Sequence, residues 1–298
     1  MALAVRLRGS ARAGVVINGH TLTADQIRDH VEILSRWFDF IHHDELEQRL
    51  TGPRSRPFCL LTFDDGKRNG VTQVAPQLER LGVPAVFYVV TRFLSEGAPL
   101  WFDCQAAVVR ALRRVPPELE VAALKSLPLA RVHERLDRAC AEHRVSVDGD
   151  ADDVRPMSWD EARDLHRRGF TIGAHSLHHA ILTLETPDNA RADIAQSIAE
   201  VSAQLGAPCR TFAFPNGNYT PDLARHALAC GAHTVMTTEP LWVDRRCPRW
   251  RIPRVQLFGW QSRARIELKL AVAATGRLLV NPDGTGRRYR QSTHGGTA

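Results

Sequence analysis

Two adjacent acids end an apolar run in the first quarter of the chain. Residues 58–63 are mostly apolar, and Asp64, Asp65 and Gly66 follow them directly. Successive side chains at the end of a strand point in different directions, so two neighbouring carboxylates can do different work. One can hold a cation while the other faces a substrate as a base. The alternative is an ordinary Asp-Asp-Gly turn, but unpaired acids at the end of a buried strand would cost free energy.

Three histidines follow a second apolar run. The segment "HSLHH" places His175 and His179 four residues apart. If this segment opens a helix, both imidazoles lie on one face and can bind the same metal ion. An aspartate from another strand would complete a His-His-Asp set with open positions for water, which is typical of a catalytic metal site. The alternative is that one histidine caps the helix and that the others are solvated.

The elements that must position these residues alternate along the chain. Short apolar runs, each expected to form a strand, lie at 13–17, 38–41, 58–63, 85–90, 170–174, 209–214, 233–238 and 251–257. Helix signals lie between them, including N-terminal capping boxes at Thr23 with Gln26 and at Ser158 with Glu161. This alternation is typical of an α/β fold with a parallel sheet covered by helices. About eight strands favour a barrel over an open sheet.

Active sites of parallel α/β folds lie at the carboxyl ends of the strands. Four of the predicted strands are followed directly by polar or turn-forming residues, at 18–20, 64–66, 175–179 and 215–217. The sequence therefore predicts that two carboxylates, several histidines and a tight Pro-Asn-Gly turn meet on one rim.

Two segments interrupt the alternation. Residues 91–157 have helical character and no clear strand, so we expect an insertion that covers one end of the barrel and shapes the substrate groove. Residues 281–298 are polar and glycine-rich, which predicts a disordered tail. The expected catalytic domain therefore runs from 14 to 280.

Three motifs together resemble the polysaccharide deacetylases with a NodB-type domain, a carbohydrate esterase family. "TFDDG" at 62–66 is similar to the first motif of the family, and "HSLHH" at 175–179 to its second. "FAFPNG" at 212–217 resembles the third. The resemblance extends over about residues 14–260 and implies an irregular (β/α) barrel of about seven or eight parallel strands.

The resemblance also implies roles by position. Asp65, His175 and His179 would hold a divalent metal, usually zinc in relatives, and Asp64 would be the general base. The metal would lower the pKa of its bound water and polarise the acyl oxygen. The backbone N–H of Asn216 would help to bind the oxyanion.

The sequence departs from the family pattern at the general acid. The usual C-terminal Leu-x-His, which supplies this acid, does not follow the third motif. In circularly permuted relatives the motif moves to an N-terminal strand, and His20 after the first predicted strand has that position. The resemblance therefore implies His20 as the acid, with an ordinary loop histidine as the alternative.

A second departure concerns the arginine that steadies the base in many relatives. Ala213 lies near its usual place. Arg254 or Arg251, from another predicted strand, would supply the guanidinium instead. The alternative is that both form ordinary ion pairs, which we favour for Arg251.

The composition limits the classes of partner that the protein is expected to bind and its expected location in the cell. The net charge of +6 comes from scattered basic residues, and no nucleic-acid-binding signature is present. The six cysteines are far apart and form no CxxC pair, which argues against a zinc ribbon or a disulfide scaffold. No signal peptide or membrane span is found, so we expect a cytoplasmic protein. The apolar segment 264–280 is expected to pack on the barrel, with peripheral membrane contact as the weaker alternative.

These observations predict a metal-dependent hydrolase, most plainly a zinc enzyme, that removes N-acetyl groups from an N-acetylated sugar, glycan or glycoconjugate. One alternative is the hydrolysis of another amide, such as a cyclic imide or ureide, because a metal site alone does not distinguish these substrates. A second alternative is a barrel that binds glycan without turnover.

Overall fold

A computed structural model describes residues 12–53, 55–147 and 151–276. Nine strands occur in this part of the chain: Ala13–Gly19 (β1), Asp39–Phe40 (β2), Phe58–Phe63 (β3), Ala85–Val89 (β4), Thr171–Ala174 (β5), Thr211–Ala213 (β6), Thr234–Met236 (β7), Val243–Asp244 (β8) and Val255–Gln256 (β9). Each of the eight predicted strands is present. The two-residue β8 was not predicted, because it is too short to show a periodic pattern.

The strands form one curled, mostly parallel sheet. Its order is β7-β6-β5-β4-β3-β1-β8, while β2 pairs with β3 and β9 pairs with β1. Among the paired strands, β8 alone is antiparallel to its neighbour, which is β1. Ile252 bridges to Met236 of β7, and Val255 a few residues later pairs with Ile17 of β1. Segment 252–256 thus spans from one side of the curled sheet to the other, and the predicted α/β barrel is confirmed.

The described residues form eleven α-helices: Ala24–Ser35 (α1), Leu46–Thr51 (α2), Ala75–Arg80 (α3), Thr91–Glu96 (α4), Trp101–Ala111 (α5), Val121–Leu124 (α6), Leu129–His143 (α7), Trp159–Arg167 (α8), Pro187–Leu205 (α9), Pro221–Ala229 (α10) and Arg263–Ala274 (α11). Most of them cover the outside of the sheet, whereas α5 to α7 pack on one another. A π-helical turn, Gly70–Val74, leads into α3. Both predicted capping boxes are present, at the start of α1 and at the start of α8. Each satisfies two backbone donors that the helix itself leaves free.

The side chains of β3 alternate between two apolar layers. Cys59, Leu61 and Phe63 belong to the large core between sheet and helices. Phe58 and Leu60 belong to a second core inside the barrel. Because the side-chain period of a strand is two, the inward column continues through Thr62 to Asp64, so the first acid of the pair lies at the top of the barrel interior.

The segment expected to be an insertion is helical, as predicted, and contains α4 to α7. It has a small apolar core of its own, to which Trp101, Val108, Leu124 and Leu136 contribute. Its exact domain limits stay a prediction, and the expected tail at 281–298 lies outside the described residues.

The last described helix, α11, packs on the barrel as expected. Ile266 and Leu270 are fully buried, and Leu270 accepts a hydrogen bond from the indole of Trp242 through its carbonyl. Within the described ranges, no helix is both long enough and apolar enough to cross a membrane. The cytoplasmic location and the peripheral membrane alternative stay predictions.

Candidate active site

A cavity of about 320 Å³ lies at the carboxyl ends of the strands. Both acids of the Asp-Asp pair line it, together with His175 and His179, which follow β5. His20 after β1 and Asn216 after β6 also line it. The strand ends therefore bring all these predicted residues to one rim. We call this cavity the carboxyl-end cavity.

Asp64 is held by two donors inside the barrel. Nη1 and Nη2 of Arg254 donate to its two oxygens at 2.7 and 2.8 Å, and Nδ2 of Asn18 donates to Oδ2 at 3.0 Å. Burial alone would raise the pKa of Asp64, but the adjacent guanidinium of Arg254 outweighs it and lowers the pKa below the ordinary value. Asp64 is therefore a carboxylate at neutral pH.

Arg254 is itself fixed on every side. Its side chain is 0% exposed. Nε donates to the carbonyl of Thr237 at 2.9 Å, and Nη1 also donates to Oγ1 of Thr62 at 3.1 Å. Its guanidinium carbon lies 5.4 Å from the ring centre of Tyr88, within the range of a cation–π contact. A buried arginine with this many partners cannot turn away from Asp64 at low cost.

Below Tyr88, hydrogen bonds continue through the barrel interior. The Tyr88 hydroxyl lies 2.6 Å from Oγ1 of Thr211, which accepts from Oγ1 of Thr234 at 3.0 Å. Nε2 of His43 lies 2.7 Å from the Thr234 hydroxyl. We call Tyr88, Thr211, Thr234 and His43 the interior polar chain. All four side chains are buried, so each depends on its neighbours for hydrogen bonding.

Asp65 turns away from this column and faces the histidines. Its φ of 78° is in the left-handed region, which is uncommon for a residue with a side chain. Oδ1 lies 3.3 Å from Nε2 of His179 and 3.8 Å from Nε2 of His175. Neighbouring acids thus face different partners, as the sequence predicted.

The two histidines meet in a loop and not in a helix, so the helical arrangement considered from the sequence is wrong. Ser176 and His179 both have positive φ, of 67° and 59°. The hydroxyl of Ser176 accepts the N–H of His179 at 2.9 Å, and Oδ1 of Asp193 accepts the N–H of Leu177 at 2.9 Å. These local hydrogen bonds replace those of a helix and bring the imidazoles of His175 and His179 together.

His175 is prepared to act as a neutral ligand. Its Nδ1 lies 2.7 Å from the carbonyl of Ala213. A carbonyl can only accept, so Nδ1 carries the proton and Nε2 presents a lone pair toward Asp65. Burial lowers the pKa of His175 to about 4, which keeps the imidazole neutral at ordinary pH.

Asp65, His175 and His179 fit a divalent cation. One ligand atom from each lies within 4.8 Å of the other two, and all three residues are buried. Oδ1 of Asp65 is buried and has no hydrogen-bond partner in the described structure, which is costly unless a cation satisfies it. Two imidazoles and one carboxylate suit zinc and several other transition metals.

Comparison with known proteins identifies the fold and the family. The sequence model of the polysaccharide deacetylase family matches residues 51–235. The chain belongs to the polysaccharide deacetylase family. The predicted resemblance is therefore confirmed, and so is the predicted enzyme class, a hydrolase that deacetylates carbohydrates. None of the curated protein sequences shows significant similarity to this deacetylase.

Solved structures share the fold of this deacetylase at low sequence identity. The deacetylase PplD of Streptococcus pyogenes, in complex with acetate, aligns with a TM-score of 0.62 at 13% identity, over 87% of this chain and 98% of that one. IcaB from Ammonifex degensii aligns with a TM-score of 0.59 at 17% identity, over 88% and 97%. The BpsB deacetylase domain from Bordetella bronchiseptica aligns with a TM-score of 0.57 at 18% identity, over 82% and 96%.

The remaining predicted site residues of the deacetylase have distinct surroundings. Arg251 pairs with Glu239 at 2.7 Å, as favoured from the sequence, which leaves Arg254 as the arginine on Asp64. Asn216 has a left-handed backbone, with φ of 55°. His20 is half-buried at the cavity wall. Their catalytic roles stay predictions.

Some residues of the site were not assigned from the sequence. Asn18 gave a signal, a polar side chain at a strand end, but no role was derived for it. The insertion contributes Phe102, Val121 and Lys125 to the cavity wall. The ring of Phe102 contacts that of His179 edge-on, with centroids 5.1 Å apart. Nothing local in the sequence shows which face of an inserted helix points at a distant loop.

The insertion is tied to the loop that carries the acids. Nζ of Lys67 lies 2.7 Å from Oδ1 of Asp103 and 5.0 Å from the ring centre of Phe102. Lys67 follows the Asp-Asp-Gly turn directly. One salt bridge and one cation–π contact therefore hold the insertion beside the candidate ligands.

Proposed function

We propose that this deacetylase is a metal-dependent hydrolase that removes N-acetyl groups from an N-acetylated sugar, glycan or glycoconjugate. The observation that carries the proposal is the division of work between two adjacent aspartates. Asp64 is bound by Arg254 and Asn18, whereas Asp65 faces His175 and His179. A carboxylate fixed beside a cation site suits the metal-assisted hydrolysis of an unactivated amide, with the carboxylate as the base.

Asp64 acts as the general base. Its Oδ2 accepts two hydrogen bonds, from Arg254 and Asn18, whereas Oδ1 accepts one, from Arg254. A carboxylate oxygen has two acceptor positions, so Oδ1 keeps one for the proton of the attacking water. Arg254 fixes the direction of that position and keeps Asp64 ionised between turnovers.

Asp65, His175 and His179 hold the divalent cation, for which zinc is the expected ion. A cation bound there supplies Lewis acidity toward the acyl oxygen and toward water. The Nδ1–H of His175 is fixed by Ala213, so its Nε2 is the liganding atom. The loop hydrogen bond from His179 N–H to Ser176 holds the second imidazole in place.

Two further residues complete the proposed reaction. The backbone N–H of Asn216, at the start of the left-handed turn after Pro215, stabilises the oxyanion. His20 protonates the departing amine, which otherwise leaves slowly. His20 lines the same cavity as Asp64 and Asp65, which suits this role.

Acetate release is the measurement that tests this function. Zinc-loaded wild type and Asp64→Asn are compared on a panel of N-acetylated sugars, nucleotide sugars, lipid-linked sugars and cyclic imides. We expect acetate from one of the N-acetylated substrates and a loss of about 10²–10⁴-fold in Asp64→Asn, with zinc content unchanged by mass spectrometry. Asp160→Asn, which changes an exposed aspartate in the first turn of α8, is the matched control.

Three outcomes would count against the proposal. Equal acetate release by wild type and Asp64→Asn would remove Asp64 from the reaction. Turnover of a cyclic imide alone would give another amide as substrate. Binding of zinc and of glycan without turnover of any panel member would favour a barrel without catalysis.

A further inference from the structure

A second cavity of about 320 Å³ lies at the opposite end of the barrel. Arg210 and His233, which line it, directly precede β6 and β7, so it opens at the amino ends of the strands. We call it the amino-end cavity. Its volume falls within the range of small-molecule sites, and neither the aspartate pair nor the histidine loop contributes to its lining.

The buried lining, or floor, of the amino-end cavity is mostly apolar. Its two buried polar members, His43 and Thr234, are hydrogen-bonded to each other at 2.7 Å. Leu46, Leu50 and Ile252 line it and are all buried, and they belong to the apolar core inside the barrel. Water against such a floor finds few hydrogen-bond partners. A hydrocarbon body would therefore gain free energy by displacing that water.

The rim of the same cavity carries an excess of positive charge. Three exposed arginines line it, and Arg249 is neutralised by Glu47 at 2.7 Å. Arg210 donates to Nε2 of His233 at 2.8 Å, which does not cancel its charge. In the part of the chain that the structure describes, no acid lies within ion-pair distance of Arg210 or Arg245.

One acidic residue reduces the positive charge of the rim. Asp44 also lines the cavity and is exposed. Two uncompensated arginines against one aspartate leave a net positive rim over a mostly apolar floor. Guanidinium groups bind carboxylates and phosphates through paired hydrogen bonds, so the rim recognises an anionic head and the floor an apolar body.

We infer that the amino-end cavity is a second ligand site of this protein, which takes a small amphiphilic anion. The hydrocarbon part lies on Leu46, Leu50 and Ile252, and the carboxylate or phosphate contacts Arg210 and Arg245. The inference stands independently of the proposed catalytic function, because it uses none of the residues assigned to catalysis.

Calorimetric titration of the full chain tests the inference directly. The probes are octanoate, octyl phosphate, octanol and inorganic phosphate. We expect one site that binds octanoate or octyl phosphate, and at least tenfold weaker binding of octanol and of inorganic phosphate, because each lacks one half of the chemistry. The ratio of the first two affinities identifies the preferred head group.

Variants place the bound probe in the cavity. Arg210→Ala and Arg245→Ala should each weaken binding by about tenfold or more, the effect of one charge-assisted hydrogen bond. Arg246→Ala is the matched control, since Arg246 is exposed, pairs with Asp244 and does not line the cavity. Thr51→Trp should block binding, because Thr51 is an exposed residue of the cavity wall.

Binding at the catalytic end must be recognised separately, because a carboxylate can also bind zinc. The titrations are therefore repeated without metal and in Asp64→Asn, and the proposed site should be unaffected by either change. Octanol binding as tightly as octanoate and octyl phosphate would overturn the inference. The same holds for anion binding that survives Arg210→Ala, Arg245→Ala and Thr51→Trp, or that disappears with the metal.

Discussion

The two ends of the barrel have cavities of similar volume, but their charged and apolar residues are arranged in opposite ways. At the carboxyl end the charged groups are buried, with Asp64, Asp65 and Arg254 all less than a tenth exposed. At the amino end the charged groups stand on an exposed rim, and the buried part is mostly apolar apart from His43 and Thr234, which hydrogen-bond to each other. A buried charge costs free energy of folding and stays ionised only beside a fixed partner of opposite charge. An exposed charge on the rim costs little and is free to bind a ligand.

The backbone shows the same contrast. Five described residues other than glycine have positive φ, and four of them surround the carboxyl-end cavity or its histidine loop: Asp65, Ser176, His179 and Asn216. The fifth, Arg144, ends a helix of the insertion. Sparsely populated backbone conformations cost free energy and collect where side chains must converge. Strained backbone therefore collects at the end proposed for chemistry, and among the described residues none of the five lines the cavity proposed for binding.

Removal of the buried arginine should have the largest effect on stability. Arg254→Met leaves Asp64 as an uncompensated buried charge, so we expect the free energy of unfolding to fall by about 3–5 kcal/mol. Denaturant unfolding measures it. The double variant Asp64→Asn/Arg254→Met removes both charges and should recover part of the loss. Equal stability of the single and double variants would show that the ion pair is not the cause.

At acidic pH the barrel should lose stability because of a group at its amino end, His43. Burial lowers the pKa of His43 to about 4. The unfolded chain, with a histidine pKa near 6.5, then binds the proton more readily, so this stabilisation is full above about pH 6.5 and is lost as pH falls toward 4. We expect a loss of about 2–3 kcal/mol by about pH 4.5.

The variant His43→Gln isolates this effect. Glutamine can keep a hydrogen bond to Thr234 but cannot titrate. Unfolding is measured with a chelator present, at neutral pH and near pH 4.5, so that metal release does not contribute. The pH dependence should be smaller in His43→Gln than in wild type. An identical dependence in both proteins would contradict the assignment to His43.

The smallest expected effect is that of an arginine at the other end. Arg210 is exposed, and its side chain hydrogen-bonds to the imidazole of His233. Arg210→Ala should change the free energy of unfolding by no more than about 0.5 kcal/mol, as measured by denaturant unfolding. A loss near that of Arg254→Met would remove the distinction between rim and interior charges.

Much of the carboxyl-end cavity could be predicted from the sequence, because its residues follow strands with clear patterns. The histidine pair came from its spacing, and the barrel came from the alternation of strands and helices. Asp65 as the third metal candidate and Arg254 came from the family resemblance. The Asp64–Arg254 contact joins residues 190 positions apart, which no local pattern encodes. The helix considered for "HSLHH" was wrong because the side chains of Ser176 and Asp193 accept hydrogen bonds from backbone N–H groups of this segment and so favour a loop there.

The amino-end cavity could not be predicted at all. Its walls come from α2, from the residues before β6 and β7, and from the loop after β8. Each of these segments alone has the composition of an ordinary protein surface, with an arginine or a short apolar stretch. Only the closure of the barrel brings the buried leucines under the exposed arginines.

The interior polar chain has a consequence for the descent of this protein. Tyr88, Thr211, Thr234 and His43 satisfy one another inside an apolar barrel. Loss of one member leaves a buried polar group without a partner, at a cost of about 1–3 kcal/mol, whereas joint replacement by apolar residues of similar shape can be almost neutral. These four positions are therefore expected to covary in homologous sequences, and an ancestor could have lost the chain only by passing through a less stable intermediate or by changing several positions together.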